Sequence, residues 1–186
     1  MNFLFASDSF KGTLSSEQTV DLLARAARAV FGEDIRYSGV PVADGGEGTT
    51  DAVVAAEHGS WVETTVHGPL MEPVTARYGR LDQHRAVLEM AAASGLPMVP
   101  MEKRNPLHTT SYGTGELIRH ALDQGFADIS IAIGGSATND GGMGCVRALG
   151  VRFLDEAGRE LEGRGEDLEK VRSIDVSGLD PRVKNT

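Results

Sequence analysis

Apolar residues recur along this chain in two rhythms, a spacing of three and four and a strict alternation, and the order of the rhythms outlines a fold. Residues 2–6, Asn-Phe-Leu-Phe-Ala, read as a short buried strand. Ser15-x-x-Gln18 has the form of a capping box, in which each side chain satisfies a backbone N–H at a helix start. Val20, Leu23, Ala24, Ala27, Val30 and Phe31 follow at helical spacing, and Gly32 is placed to end that helix. Residues 34–42 read as the next strand and 49–58 as a helix closed by Gly59. Strand, loop and helix, repeated, predict a parallel, Rossmann-like sheet.

After residue 60 the rhythm changes. Val62, Thr64 and Val66 alternate with Trp61, Glu63 and Thr65, and Val74, Ala76 and Tyr78 alternate again after a turn-rich connection. Two such strands predict an antiparallel or mixed sheet. The expectation is therefore an α/β protein: a Rossmann-like segment over 1–67, and from 68 to 186 the first part of a second α/β domain. Residues 86–90 and 128–133 read as buried strands and 114–124 as a helix with Leu117, Ile118, Ala121 and Leu122 on one face. Residues 97–108, with three prolines, read as loop, and the charged tail carries a helix near 165–172.

Composition narrows the partners. The chain has 186 residues and a formal charge of −9, with no cluster of Lys and Arg, so nucleic acid and anionic membranes are excluded as expected partners. No apolar run approaches the ~20 residues of a membrane helix. The start has no basic region before an apolar run, and the single Cys145 allows no intrachain disulfide, so a cytoplasmic location is expected. The five histidines form no close metal pair.

Candidate chemistry lies in glycine-rich loops at strand ends. Between 134 and 144, five of eleven residues are Gly. Such a turn between a strand and a helix lets backbone N–H groups approach an anion, and Ser136, Thr138 and Asn139 add side-chain groups. Gly134, Gly135, Gly141 and Gly142 are the backbone candidates, and Asp140 is a candidate metal ligand. The loop is neither a Walker A motif nor G-x-G-x-x-G. A tight structural turn is the alternative, though such a turn rarely needs so many glycines. The loop after the first strand offers Asp8 and Lys11, for a metal or hydroxyl and for an anion respectively; a capping Asp and a solvated Lys are the alternative. Val42-Ala-Asp-Gly-Gly-Glu-Gly48 places Asp44 and Glu47 beside three glycines, suited to Mg²⁺ or to accepting a proton from an alcohol, or to a turn and helix start. Glu89 and Thr114 stand at two further small-residue turns, where packing serves equally well.

In order, Ser7-Asp-Ser-Phe-Lys-Gly, Ala43-Asp-Gly-Gly-Glu-Gly-Thr, Glu89-Met-Ala-Ala-Ala-Ser-Gly-Leu, Gly113-Thr-Gly-Glu-Leu-Ile and Ile133-Gly-Gly-Ser-Ala-Thr-Asn-Asp-Gly-Gly resemble the bacterial glycerate kinase family. The resemblance runs from residue 1 to about 180. It implies ATP and Mg²⁺ as cofactors, D-glycerate as acceptor, 2-phosphoglycerate as product, and two domains with the site in the cleft between them. On that reading Asp44, Lys11 and Asp8 are the catalytic candidates, and Glu47 and Asp140 the metal candidates. Family members continue for roughly as many residues again, so this chain is expected to be an N-terminal half, inactive alone. Two rival readings are an inactive nucleotide- or anion-binding fragment and a kinase of another small hydroxy compound.

Overall fold

Ser15 starts the first helix as its spacing from Gln18 predicts. Its Oγ accepts from the Gln18 N–H at 3.1 Å, and the Gln18 side chain accepts from the Ser15 N–H at 2.9 Å. That helix, α1 (Ser16–Phe31), connects β1 (Asn2–Ser7) to β2 (Arg36–Pro41), which pair in parallel from Asn2↔Arg36 to Ser7↔Pro41. The computed structural model describes residues 1–10, 13–42 and 44–185, apart from the side chains of Pro41 and Asn185. Lys11, expected in the site, lies outside the described residues.

α1 buries Val20, Ala24 and Ala27. Leu23, Val30 and Phe31, expected on the same face, are 41%, 73% and 53% exposed. A two-stranded sheet is narrower than the apolar face the helix offers, so the stripe's margins stay in water. Phe31 recovers part of its contact by packing on Phe3, ring centroids 5.3 Å apart.

α2 (Thr49–Ala56) leads into the second sheet, of order β3-β4-β5-β6. β3 (Ser60–His67) and β4 (Pro73–Arg80) pair antiparallel from Ser60↔Arg80 to His67↔Pro73, as their alternation predicts. β5 (Arg85–Glu89) runs antiparallel to β4 and parallel to β6 (Asp128–Ala132). The fold is thus α/β, its first two sheets one parallel and one mixed. The division expected at 67/68 falls between β3 and β4, two strands paired along their full length.

α3 (Ala91–Ser94) and α4 (Tyr112–Asp123) pack on the mixed sheet. Tyr78, Leu88, Ala93, Leu117 and Ala121 are fully buried at its centre. The Leu117, Ile118, Ala121 and Leu122 stripe faces this core as the helical spacing predicts. The buried Tyr78 hydroxyl meets His120 Nδ1 at 3.1 Å, and burial pushes its pKa up to about 12. A smaller cluster of Met143, Val151, Phe153 and Leu161 lies beneath α5 (Met143–Ala148) and the antiparallel pair β7 (Arg152–Leu154) and β8 (Ser173–Asp175). The helix expected near 165–172 is a 3₁₀ segment, Gly165–Lys170. The buried Asp167 tightens it by accepting from the Gly163 and Arg164 N–H groups and pairing with Lys170 at 3.0 Å. Among the described residues, no helix is long and apolar enough to cross a membrane.

Candidate active site

The parallel strands β1 and β2 end on the same side, so the segments that follow them meet there. They enclose a cavity of about 500 Å³ whose walls include Asp8, Ser9, Phe10, Ser15, Glu47 and Asp51. The start of α1 forms one wall and the start of α2 another, so both helices bring their N-terminal N–H ends to it. Asp8 holds its turn by accepting the Ser9 N–H on Oδ1 at 2.7 Å. Asp44 does the same for the Gly46 N–H at 2.9 Å while remaining exposed. Glu47 is also exposed at the cavity edge. Among the described residues, no three of His, Cys, Asp and Glu gather into a metal cluster.

The 134–142 loop reaches the 44–48 loop directly. The Gly134 N–H donates to the Gly45 carbonyl at 2.7 Å. A Cβ on Gly134 would stand 2.6 Å from Gly46 Cα, so only glycine permits this approach. On its other side the loop is stitched to the segment after α3: the Leu96 N–H donates to the Gly135 carbonyl at 3.0 Å and the Ala137 N–H to the Ser94 carbonyl at 2.8 Å. Ser94 Oγ in turn meets Thr114 Oγ1 on α4 at 2.8 Å. Four of the glycine- and acid-rich stretches therefore form one connected surface, and Asp8 and Glu47 line the same cavity.

Asp140, expected as a metal ligand, is 2% exposed, and its two oxygens accept four hydrogen bonds from the chain. Oδ2 takes the Ser111 N–H (2.7 Å), the Ser111 hydroxyl (2.8 Å) and the Gly144 N–H (3.1 Å), and Oδ1 takes the Gly142 N–H (3.0 Å). The carboxylate ties the glycine-rich loop to the start of α4. Other donors of the loop point elsewhere: among the described residues, the N–H groups of Gly135, Ser136, Asn139 and Gly141 have no acceptor. Such a row of open donors suits an oxyanion. Ser136 and Thr138 share a hydroxyl–hydroxyl bond of 2.7 Å beside them.

Glu89, at the end of β5, accepts the Thr50 N–H at 2.7 Å and so caps α2, whose own N-cap is Gly48. Burial raises its pKa above the ordinary value, with the Thr50 and Gly48 N–H groups pulling the other way and the Asp51 charge adding to the rise. Glu116 joins α4 to β3 by accepting the His67 N–H at 2.7 Å and meeting His67 Nδ1 at 2.9 Å. Sequence reasoning missed Ser111 as the partner of Asp140 and Arg104 as a pocket wall. Both lie in the stretch from the proline-rich loop into α4, and neither carries a local motif beyond polarity. Burial pushes the Cys145 thiol up to about 11, with the Asp140 charge contributing, so it is an unreactive packing residue of α5.

A family model described as the glycerate kinase family matches residues 3–186. The chain belongs to the glycerate kinase family. It is 52% identical over 187 residues to a glycerate kinase of Bacillus subtilis (strain 168), covering 100% of this chain and 48% of that protein. It is 50% identical over 186 residues to a glycerate 2-kinase of Escherichia coli (strain K12), covering 100% and 49%. A crystal structure described as glycerate kinase 2 of Salmonella typhimurium LT2 superposes with a TM-score of 0.78 at 50% identity, over 98% of this chain and 49% of that one. The chain thus spans about half the length of the glycerate kinases it matches.

Proposed function

We propose that this chain supplies the phosphate- and acceptor-binding loops of a kinase that moves the γ-phosphoryl group of ATP to a hydroxyl of D-glycerate, giving 2-phosphoglycerate. The observation that carries the reading is the junction of the 44–48 and 134–142 loops through Gly134 and Gly45, beside a cavity lined by Asp8 and Glu47. Phosphoryl transfer needs alignment of acceptor and phosphate, neutralised charge and somewhere for the hydroxyl proton to go.

Gly135, Ser136, Thr138, Asn139 and Gly141 form the nucleotide-phosphate cradle, through the open N–H groups and the two hydroxyls, and Gly134 and Gly142, whose own N–H groups are taken by Gly45 and Asp140, hold its ends. As the glycerate oxygen bonds to the γ-phosphorus and the bond from that phosphorus to the ADP oxygen breaks, Asp44 takes the hydroxyl proton. Lys11 supplies the positive charge that offsets the transferring phosphate. The donor chemistry of the cavity fits Mg²⁺: Asp8 and Glu47 are hard oxygen donors on the same cavity, and Mg²⁺ commonly uses one or two carboxylates and keeps several waters. When bound, Mg²⁺ supplies charge neutralisation at the phosphates. Asp140 serves the same site from within, by holding the cradle to α4.

A coupled assay for ADP release tests the reading on the polypeptide at the full length of its relatives. Turnover with D-glycerate and Mg²⁺ is expected, with little for sugars or nucleosides. Faster phosphorylation of a sugar, or turnover unaffected by removing divalent metal, would reject it.

A further inference from the structure

A second, smaller pocket of about 220 Å³ lies between the proline-rich loop and the glycine-rich loop, walled by Leu96, Val99, Arg104, Pro106, Ser136 and Thr138 among others. Among the described residues, Arg104 is its one charged residue and no carboxylate lines it. In a chain of formal charge −9, a pocket holding a cation and no acid is a selective place for an anion. Arg104 Nε donates to the Val99 carbonyl at 3.1 Å, which anchors the guanidinium. Its Nη groups have no hydrogen-bond or ion-pair partner among the described residues. An anchored guanidinium with open Nη donors is preorganised for a planar or tetrahedral oxyanion.

The opposite wall offers matching donors. Ser136 and Thr138 share one hydroxyl hydrogen bond at 2.7 Å, so whichever of them donates, the other keeps an O–H to direct elsewhere. The weak 3.5 Å approach of Ser136 Oγ to the Thr138 carbonyl competes little for it. The Ser136 N–H has no acceptor among the described residues. Leu96, Val99 and Pro106 complete the wall with apolar surface and no competing charge.

We propose that Arg104, Ser136 and Thr138 form an oxyanion subsite that binds a phosphate or carboxylate group of a ligand. The inference rests on the kinase reading only for the source of that group, nucleotide phosphate or glycerate carboxylate. The subsite itself rests on the pocket.

Orthophosphate and D-glycerate are titrated separately into the isotope-labelled chain at ionic strength held constant with sodium chloride. The Arg104 Nε–H signal and the Ser136 and Thr138 amides are followed by NMR. Saturable shifts with at least one of the two are expected, and the one that saturates at lower concentration names the source. Arg104→Met is expected to raise the half-saturating concentration by ~10-fold or more, as loss of a charge-assisted fork should. Arg104→Lys, which keeps the charge and loses the fork, is expected to fall between. Arg172→Met removes a guanidinium that donates only to the Glu169 and Val171 carbonyls, and is expected to leave binding unchanged. Circular dichroism confirms the fold of each variant, and if Arg104→Met does not fold, Arg104→Lys carries the comparison. Failure of both probes to saturate, or equal binding by the parent and the Arg104 variants, overturns the subsite. The kinase reading stands or falls separately on ADP release with glycerate, so an anion bound here without turnover would reject that reading and leave the subsite intact.

Discussion

Asp44 and Asp140 are both carboxylates in glycine-rich loops, yet their surroundings give them opposite work. Asp44 is exposed, accepts the N–H of its own turn, and is the proposed proton acceptor. Replacing it with Asn keeps the shape and removes the proton acceptor. In the full-length enzyme Asp44→Asn should lower kcat by roughly 10²-fold or more, and Lys11→Met should cost a few kcal/mol of transition-state stabilisation, about that of one preorganised donor. Steady-state kinetics with circular dichroism checks both, and near-normal turnover of either variant removes that residue from the site. Asp140 instead is enclosed, with four donors on its oxygens. Asp140→Ala strands buried donors on Ser111, Gly142 and Gly144, each costing roughly 1–3 kcal/mol when unsatisfied. A loss of at least about 3 kcal/mol in urea unfolding is expected, and a loss under about 1 kcal/mol would mean that water replaces the carboxylate. Residue type and spacing marked both acids as candidates. What separates them, burial and the Ser111 contact 29 positions away in the chain, is set by tertiary packing and leaves no local trace.

Among elements, those with a strong local signal were legible. The α1 cap rests on two residues three apart, and the β3–β4 pairing on an alternation that a one-residue slip would turn inside out. The short pair β7–β8 was not, because three-residue strands carry too few positions for a period, and they pair across an 18-residue gap that includes a 3₁₀ segment. α2 shows how an element can depend on a residue outside itself. Its N-cap Gly48 offers no side chain, and Glu89 from β5 accepts the Thr50 N–H in its place. Because burial raises the folded-state pKa of Glu89 above its ordinary value of 4.5, protonation favours the fold. That contribution is fully present below the unfolded pKa and is lost as pH rises through the folded one. Glu89→Gln keeps the acceptor oxygen and removes the titration. Urea unfolding of parent and variant from pH 4 to pH 7 should therefore show the variant gaining relative to the parent as pH rises. A variant that loses ground over that range would show that the ionised carboxylate is the stabilising form.

Across the whole molecule, stability is unevenly spread. The mixed sheet and α4 bury Tyr78, Leu88, Leu117 and Ala121 completely, whereas the parallel pair leaves Leu4 68% and Val40 47% exposed. No described residue of β2 is buried. Parallel strands ordinarily have both faces covered, and an isolated two-stranded sheet is marginal in water. Here one face of the pair has α1, through Val20, Ala24 and Ala27. The sequence predicts a buried strand at 2–6 and an apolar stripe along α1. It had no way to see that only two strands would share the helix. Regions with few buried apolar contacts open at lower free energy than the global transition. Hydrogen exchange followed by mass spectrometry should therefore find amides in 2–7 and 36–41 exchanging on the order of 10²-fold faster, or more, than those in 85–89 and 117–122. The difference should vanish near the midpoint of urea unfolding, where global opening governs every amide. The parallel pair shares no strand with the mixed sheet, whose core holds Leu88 and Leu117, so β1 and β2 are expected to open first. Equal protection of β1 and β5 in the absence of urea would mean that the two sheets unfold as one cooperative unit, and the exposed leucine and valine of the parallel pair would then be no measure of its stability.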